Sequence, residues 1–216
     1  MRISKRIQVL ANLVTKDDIV ADIGCDHALL DVYLLKNNII PKVFISDINA
    51  KALNNGISNI KKYHLEDRVE AKVSNGIQNI PEDVNTLVIS GMGAGTILKI
   101  LANPKLKQIN KIITQANNDY YLLRKGITAK GFYILHESVI YENGKYYVNI
   151  VFLKGNAKYS FKELTFGPLL TKTGKDYYEF LYNKNINILE NIPKYKVFKR
   201  FEIKKRNFIL KRLKRK

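Results

Sequence analysis

The chain has 216 residues, with 37 Lys and Arg against 19 Asp and Glu, so its formal net charge is +18. So large a positive excess indicates a polyanionic partner, and nucleic acid is the first candidate. The single cysteine, Cys25, excludes a disulfide framework and a cysteine metal site, and we expect no metal. Because no stretch reaches the roughly 20 apolar residues that span a bilayer, and no signal peptide is evident, we expect a cytoplasmic monomer without membrane contact.

The first predicted element is an amphipathic helix, formed by apolar residues at helical spacing in residues 3–14. Residues 19–154 then alternate β-branched runs with helical stretches, as expected of βαβ units that feed a parallel sheet. The predicted strands are residues 19–23, 43–46, 69–73, 86–89, 111–114, 132–140 and 146–153. The last two flank Asn143-Gly144, a tight-turn pair that predicts a hairpin. This order is typical of the α/β, Rossmann-like sheet of class I methyltransferases.

Residues 155–168 lack periodicity and are predicted to be irregular, so the sheet domain is predicted to end near Gly155. This gives one domain of residues 1–155 and a second of residues 156–216. Two apolar stripes in the second part, separated by Pro193, predict a helical hairpin. We expect Phe198, Phe201 and Phe208 of the second stripe to pack on the preceding helix. Residues 193–216 contain 12 Lys or Arg and one Glu, so they supply +11 of the net charge. The hairpin is therefore the predicted nucleic-acid-binding element.

Residues 20–28 read as a buried strand, a glycine turn and the start of a helix, which suits a nucleotide-like ligand. Asp26 and Ala28 stand where a dinucleotide-binding loop would have glycine, which argues against a bound pyrophosphate. Asp47 follows the second strand, where an acidic side chain commonly binds ribose hydroxyls. The alternative is structural: Gly24 makes a turn and Asp47 caps the next helix.

Further polar and glycine-rich loops follow the other predicted strands. Asn75-Gly76 lies where adenine of a cofactor is often held, although a plain turn explains it equally well. Residues 90–95 (SGMGAG) permit close backbone approach to a substrate base, and residues 115–118 (QANN) place polar side chains at the same sheet edge.

The sequence resembles the bacterial tRNA adenine-N1 methyltransferases that modify position 22, in the D-arm. The resemblance spans the chain and rests on residues 4–6 (SKR), 22–28 (DIGCDHA), 91–93 (GMG), 144–147 (GKYY) and 167–168 (GP), with Gln115 and Asn117. Five positions depart from the family pattern: Leu29 replaces tyrosine, Asp31 proline, Asn75 aspartate, Ala94 glycine and Ala116 proline.

The resemblance implies a class I fold, S-adenosylmethionine (SAM) as cofactor, tRNA as substrate and a coiled-coil-like C-terminal domain. The predicted cofactor-binding residues are Asp22, Gly24, Cys25, His27, Asp47, Ile48, Asn75, Gly76, Gly91 and Met92. The predicted RNA contacts are Lys5, Arg6, Lys199, Arg200, Lys204, Lys205, Arg206, Lys211 and Arg212.

Adenine N1 carries a lone pair and no proton, so its methylation needs alignment and charge stabilisation more than a general base. Asp26, at the exit of the first strand, is the predicted catalytic carboxylate, and an N-cap role is its structural alternative. Cys25 is expected to pack, since this reaction needs no protein nucleophile. Two other functions stay open: methylation of another RNA such as rRNA, and a non-catalytic nucleic-acid-binding Rossmann module.

Overall fold

The computed structural model describes residues 1, 3–170 and 174–215. The strands are β1 (Val20–Ile23), β2 (Val43–Asp47), β3 (Val69–Val73), β4 (Thr86–Ser90), β5 (Lys111–Gln115), β6 (Phe132–Glu142) and β7 (Lys145–Lys154). The helices are α1 (Lys5–Asn12), α2 (Leu29–Lys36), α3 (Ala50–Lys62), α4 (Ala94–Ile100), α5 (Tyr120–Thr128), α6 (Phe161–Phe166), α7 (Lys175–Asn191) and α8 (Val197–Leu213). Each predicted strand is confirmed to within two residues at either end.

The seven strands form one sheet in the order β3-β2-β1-β4-β5-β7-β6. Strands β1 to β5 pair in parallel, and β7 inserts antiparallel between β5 and β6. The chain moves outward from β1 to β3 and then returns to β4 on the other side of β1. The order therefore reverses between β1 and β4, and open α/β sheets bind ligands at the carboxyl ends of strands at such a point.

Helices cover both faces of the sheet because side chains of each buried strand alternate between the two faces. In β4, Leu87 and Ile89 join the core beneath α4 and α5, whereas Val88 joins the core beneath α1, α2 and α3. All three are fully buried. The carboxyl ends of the strands are thus fixed by packing on both sides.

The C-terminal helices share the core of the α4 and α5 face. Phe166, Tyr178 and Leu210 belong to that core, and the Tyr178 hydroxyl donates to the Phe166 carbonyl at 2.8 Å. A buried ion pair reinforces the junction, with Arg124 Nε of α5 2.7 Å from Glu137 Oε1 of β6. The other carboxylate oxygen of Glu137 accepts the Leu169 N–H at 3.0 Å, which ties the sheet to the segment after α6.

Two features of this region differ from the sequence-based expectations. Helix α6 lies in a stretch predicted to be irregular, although a capping box of Ser160 and Glu163 marks its start. The prediction that Phe198, Phe201 and Phe208 pack on the preceding helix is wrong, since they are 89%, 66% and 61% exposed. The buried face of α8 instead carries Ile203, Asn207, Leu210 and Leu213. Within residues 3–170 and 174–215, none of the helices has the length and apolar character needed to cross a bilayer.

Candidate active site at the carboxyl ends of the strands

The loop after β1 has an unusual backbone. Gly24, Asp26 and Ala28 have φ values of 79°, 46° and 49°, in the left-handed region that non-glycine residues seldom adopt. The N–H groups of Gly24 and Cys25 both donate to the Ser46 carbonyl, at 2.7 and 3.2 Å, which holds the loop against β2. A Cβ atom at Gly24 would lie 2.1 Å from Met92 Cε, which is the movable end of a side chain, so it is the positive φ that makes this position favour glycine.

The predicted catalytic residue, Asp26, points its carboxylate into accessible space. Its side chain is 63% exposed, and the nearest ionisable partner is His27, with 3.7 Å between Nε2 and Oδ2. Helix α2 begins after Ala28, and no side chain caps it. The alternative N-cap role for Asp26 is therefore wrong, because the left-handed Ala28 carries the chain into the helix.

Two buried carboxyl groups lie beneath this loop. Asp31 of α2 is fully buried, Asp22 of β1 is 5% exposed, and the two carboxyl groups lie close enough to influence each other's pKa. Burial raises both pKa values, that of Asp31 to about 7 and that of Asp22 well above its usual range, where the Asp31 charge adds to the effect. Neither carboxylate oxygen of Asp31 has a hydrogen-bond partner among the described residues, and a proton held between Asp31 and Asp22 would supply one.

Cys25, in the loop after β1, and Asp47, at the end of β2, form the rest of this side of the site. Burial raises the pKa of the Cys25 thiol, and Asp22 adds to the shift, so the thiol stays neutral and packs against the α2 and α3 core. Asp47 Oδ1 accepts the Asn49 N–H at 2.8 Å. The α3 N-cap is Asn49, whose side chain accepts from Lys51 and Ala52. The alternative reading of Asp47 as the helix cap is therefore wrong.

The predicted cofactor residues converge on two adjoining clefts of about 330 and 110 Å³ that share Gly24, Asp47 and Met92. The larger cleft is also lined by Asp22, Cys25, Asp26, His27 and Gly91. The smaller one is lined by Ile48, Asn75 and Gly76. In the part of the chain that the structure describes, no group of three or more His, Cys, Asp or Glu side chains is arranged to hold a metal ion.

The loops after β4 and β5 form the neighbouring wall. The Asn117 N–H donates to the Met92 carbonyl at 2.8 Å, and the Ala94 N–H donates to Asn118 Oδ1 at 3.2 Å. These bonds lock the two loops together. Gly91 has a φ of 74°, and a Cβ there would meet no atom within 4 Å, so the wall leaves open space beside the cleft. A flat base could occupy that space.

Helix α1 closes the cleft from the other side. The N–H groups of Lys5 and Arg6 donate to the carboxylate of Glu142, at 2.7 and 3.2 Å, which fastens α1 to the end of β6. Arg6 Nη1 donates to Gln115 Oε1 at 3.3 Å, and Arg6 lines the larger cleft. The backbone of Lys5 helps to hold this arrangement, but its side chain is not among those lining the cleft. The part played by Glu142 was missed, since the hairpin motif suggested only a turn.

The predicted RNA contacts in α8 differ in side-chain exposure and in whether they already make hydrogen bonds within the protein. Lys199, Lys204, Lys205, Arg206, Lys211 and Arg212 are exposed. Arg200 is half-buried, and its Nη1 donates to the Leu189 and Ile192 carbonyls at 2.7 and 2.8 Å. Arg200 therefore caps the carboxyl end of α7 and joins the hairpin. Arg206 also lines a groove of about 480 Å³ between α5 and the hairpin.

Comparisons with known proteins agree with this geometry. Residues 3–150 match the family model described as a methyltransferase domain. A candidate tRNA methyltransferase of Mycoplasma genitalium is 32% identical over 173 residues, which cover 77% of this chain and 78% of that protein. The tRNA (adenine(22)-N(1))-methyltransferase of Bacillus subtilis is 24% identical over 181 residues, 80% of this chain and 76% of the relative.

Solved structures extend the similarity to the C-terminal helices. M. capricolum TrmK, in complex with S-adenosyl-homocysteine, is 30% identical with a TM-score of 0.86, covering 98% of this chain and 97% of that chain. A candidate tRNA (m1A22) methyltransferase of Streptococcus pneumoniae, in complex with SAM, is 27% identical with a TM-score of 0.89, covering 99% and 100%. The chain therefore belongs to the TrmK family of class I, SAM-dependent methyltransferases.

Proposed function

We propose that this protein transfers the methyl group of SAM to N1 of adenine 22 in tRNA. The observation that carries the proposal is the convergence of the loops after β1, β2 and β4 on one acidic cleft, beside the open space at Gly91. The tRNA substrate and the position follow from the relatives, which include a tRNA (adenine(22)-N(1))-methyltransferase.

The residues of the two clefts fit the proposed cofactor. SAM has a cationic sulfonium and an ammonium group, and Asp26 and Asp47 give the larger cleft, which Asp22 also lines, its acidic character. Arg6 on the same cleft suits a carboxylate. Asp47 follows β2, where an acid binds ribose hydroxyls in related folds. The missing side chain at Gly24 brings the backbone close to any ligand in the cleft.

The chain's own residues need to orient the base and compensate a developing positive charge. Bound SAM supplies an electrophilic methyl group, and adenine N1 supplies the attacking lone pair without loss of a proton. The base gains positive charge as the bond forms, and the exposed Asp26 carboxylate is placed to stabilise it. Because N1 lies on the pairing edge, the adenine must leave its pair before it enters the cleft.

The positive charge beside the cleft and on α8 supports the proposal of a polyanionic substrate. The predicted contacts Lys5 and Arg6 lie beside the cleft, and the others lie on α8, which has seven Lys or Arg against one Glu. Neutralising phosphates with these groups would release counterions and give a strong salt dependence. We further propose that residues 1–155 hold the cofactor site, that residues 156–216 form the RNA-binding part, and that the protein acts as a cytoplasmic monomer.

The proposal is tested by mapping the product. Unmodified tRNA is incubated with the protein and SAM, digested with nuclease and analysed by mass spectrometry. We expect one added methyl group on adenine 22, with the chromatographic mobility of N1-methyladenosine. The matched control is the same tRNA with guanine at position 22, which should gain no methyl group. Methylation at another position, or of rRNA in preference to tRNA, would contradict the proposal.

A further inference from the structure

An unusual set of apolar side chains is exposed at the start of the last helix and along it. Tyr195 and Val197 are 79% and 64% exposed, and Phe198, Phe201 and Phe208 share this exposure. Soluble proteins rarely expose several large apolar side chains together, and a cluster of them marks an interaction surface. The sheet core does not need them, because α8 already buries a different face.

The helical register places three of these residues, Val197, Phe201 and Phe208, on one side. Phe201 and Phe208 are seven residues apart, close to two turns of about 3.6 residues, so they point in nearly the same direction. Val197 lies one turn before Phe201. The buried residues Ile203 and Leu210 are likewise seven apart and lie on the opposite side. We call the side with Val197, Phe201 and Phe208 the aromatic face of α8.

Cations border the aromatic face. Lys204 and Lys205 follow Phe201 by about one turn, and the Arg212 guanidinium carbon lies 4.5 Å from the centre of the Phe208 ring. A second copy of this chain would bring an equally basic face against it, so like charges oppose self-association. The combination of aromatic rings and cations on this face instead fits a partner that is a polyanion and also has flat apolar surfaces. Unpaired nucleobases are such surfaces, and single-stranded nucleic acid is bound by cationic grooves with aromatic side chains.

We propose that the aromatic face of α8 binds unpaired nucleobases in the loops of tRNA by stacking, away from the catalytic cleft. The proposal rests on the proposed function for its choice of RNA over an anionic lipid surface. Paired bases hide their faces inside the helix, so only loops and ends can stack on these phenylalanines. The face therefore adds recognition of tRNA shape to the phosphate contacts of the neighbouring cations.

The test compares a double variant, Phe201→Ala with Phe208→Ala, and a restoring variant, Phe201→Trp with Phe208→Trp. Dissociation constants for tRNA are measured by fluorescence anisotropy across a salt titration. We expect the alanine variant to bind about tenfold more weakly with an unchanged salt slope, since stacking releases no counterions. The tryptophan variant should bind as wild type does. Leu135→Ala, at an exposed position on β6, serves as the matched control and should bind normally.

A blunt, fully paired RNA duplex separates stacking from charge. The wild type and the alanine variant should bind the duplex equally. Wild-type affinity of the alanine variant for tRNA, or equal weakening on tRNA and duplex, would overturn the proposal. So would a wild-type dimer that the substitutions dissociate in light scattering, or weaker binding to phosphatidylglycerol vesicles with unchanged tRNA affinity.

The mass-spectrometric mapping keeps this proposal distinct from the proposed function. A wild type that fails to methylate adenine 22, yet binds tRNA through the aromatic face, contradicts only the proposed activity. A wild type that methylates adenine 22, and whose alanine variant binds tRNA normally, contradicts only the stacking proposal.

Discussion

The loop after β1 and helix α8 carry out their proposed roles by opposite means. The loop holds Gly24, Asp26 and Ala28 in left-handed conformations over a buried carboxyl pair. Helix α8 buries one face in the core, and its other sides expose most of its cations and several aromatic rings. The first region thus depends on the position of single atoms, and the second on the number and kind of exposed groups. Single substitutions should therefore damage the loop, and only grouped substitutions should damage α8.

The largest effect is expected where the sheet core meets the segment that leads to the C-terminal helices. Glu137→Ala removes one partner of the buried pair and leaves the Arg124 guanidinium without its carboxylate. Losing one partner of a buried pair destabilises a protein by about 3–5 kcal/mol. Urea denaturation measures this change. Glu82→Ala, which breaks a surface pair with Lys105, is the control and should have a small effect. Equal stabilities of the two variants would show that the junction does not depend on the buried pair.

Asp26→Asn tests the loop without disturbing its backbone, because asparagine tolerates the left-handed conformation better than alanine. We expect the single-turnover rate to fall about a hundredfold, about 2.7 kcal/mol, with SAM affinity retained. Rapid-quench kinetics and calorimetry measure the two quantities. An unchanged rate would remove Asp26 from the chemical step.

Grouped substitution tests α8. Reversal of Lys204, Lys205 and Arg206 to Glu should weaken tRNA binding by more than tenfold and make the log-log salt dependence shallower by about two units. SAM binding should stay as in the wild type. The single variant Lys204→Glu is the control and should have only a small effect. Wild-type binding by the triple variant across the salt range would place RNA recognition in the sheet domain alone.

Asp47→Ala should weaken SAM binding at least tenfold, about 1.4 kcal/mol, because charged hydrogen bonds are lost. The Asn49 N–H also loses its acceptor in this variant. Asp47→Asn keeps an acceptor for that N–H and removes only the charge. Its affinity for SAM should therefore lie between those of wild type and Asp47→Ala. Unchanged calorimetric affinity in both variants would move the ribose site elsewhere.

The smallest effect concerns pH. The folded-state pKa values of Asp22 and Asp31 are raised, so this pair holds more protons in the folded chain than in the unfolded chain between pH 3.8 and about 7. The contribution of the pair to stability should therefore fall as pH rises through this window. In Asp31→Asn the contribution of the pair to this fall is reduced, so its melting temperature relative to wild type should rise from pH 5 to pH 8. A parallel pH dependence of the two proteins would contradict a shared proton. Asp67→Asn, at an exposed position in the short 3-10 helix before β3, is the control.

Periodicity and motif order were enough to predict the sheet and a nucleotide-like ligand, because both depend on local patterns, whereas the family and SAM followed from the resemblance to known methyltransferases. The Asp22 and Asp31 pair could not be predicted, since only the packing of α2 against β1 brings the two together. The orientation of α8 was predicted wrongly because this one helix carries both an aromatic and an aliphatic stripe. The aliphatic stripe is the buried one. Arg200 was predicted as another RNA contact. Its role as a cap could not be predicted, because that role depends on the residue at which α7 ends. Helix α6 could have been predicted from Ser160 and Glu163.

The division between chemistry at the loop and tRNA binding at α8 is tested most directly by one single-turnover titration. Product formation is measured at saturating SAM over a range of enzyme concentrations, for wild type, Asp26→Asn and the triple α8 variant. We expect Asp26→Asn to lower the plateau rate about a hundredfold with an unchanged half-saturation point. The triple variant should reach the wild-type plateau, but only at more than tenfold higher enzyme concentration. A lowered plateau in the triple variant, or a shifted half-saturation point in Asp26→Asn, would contradict the division.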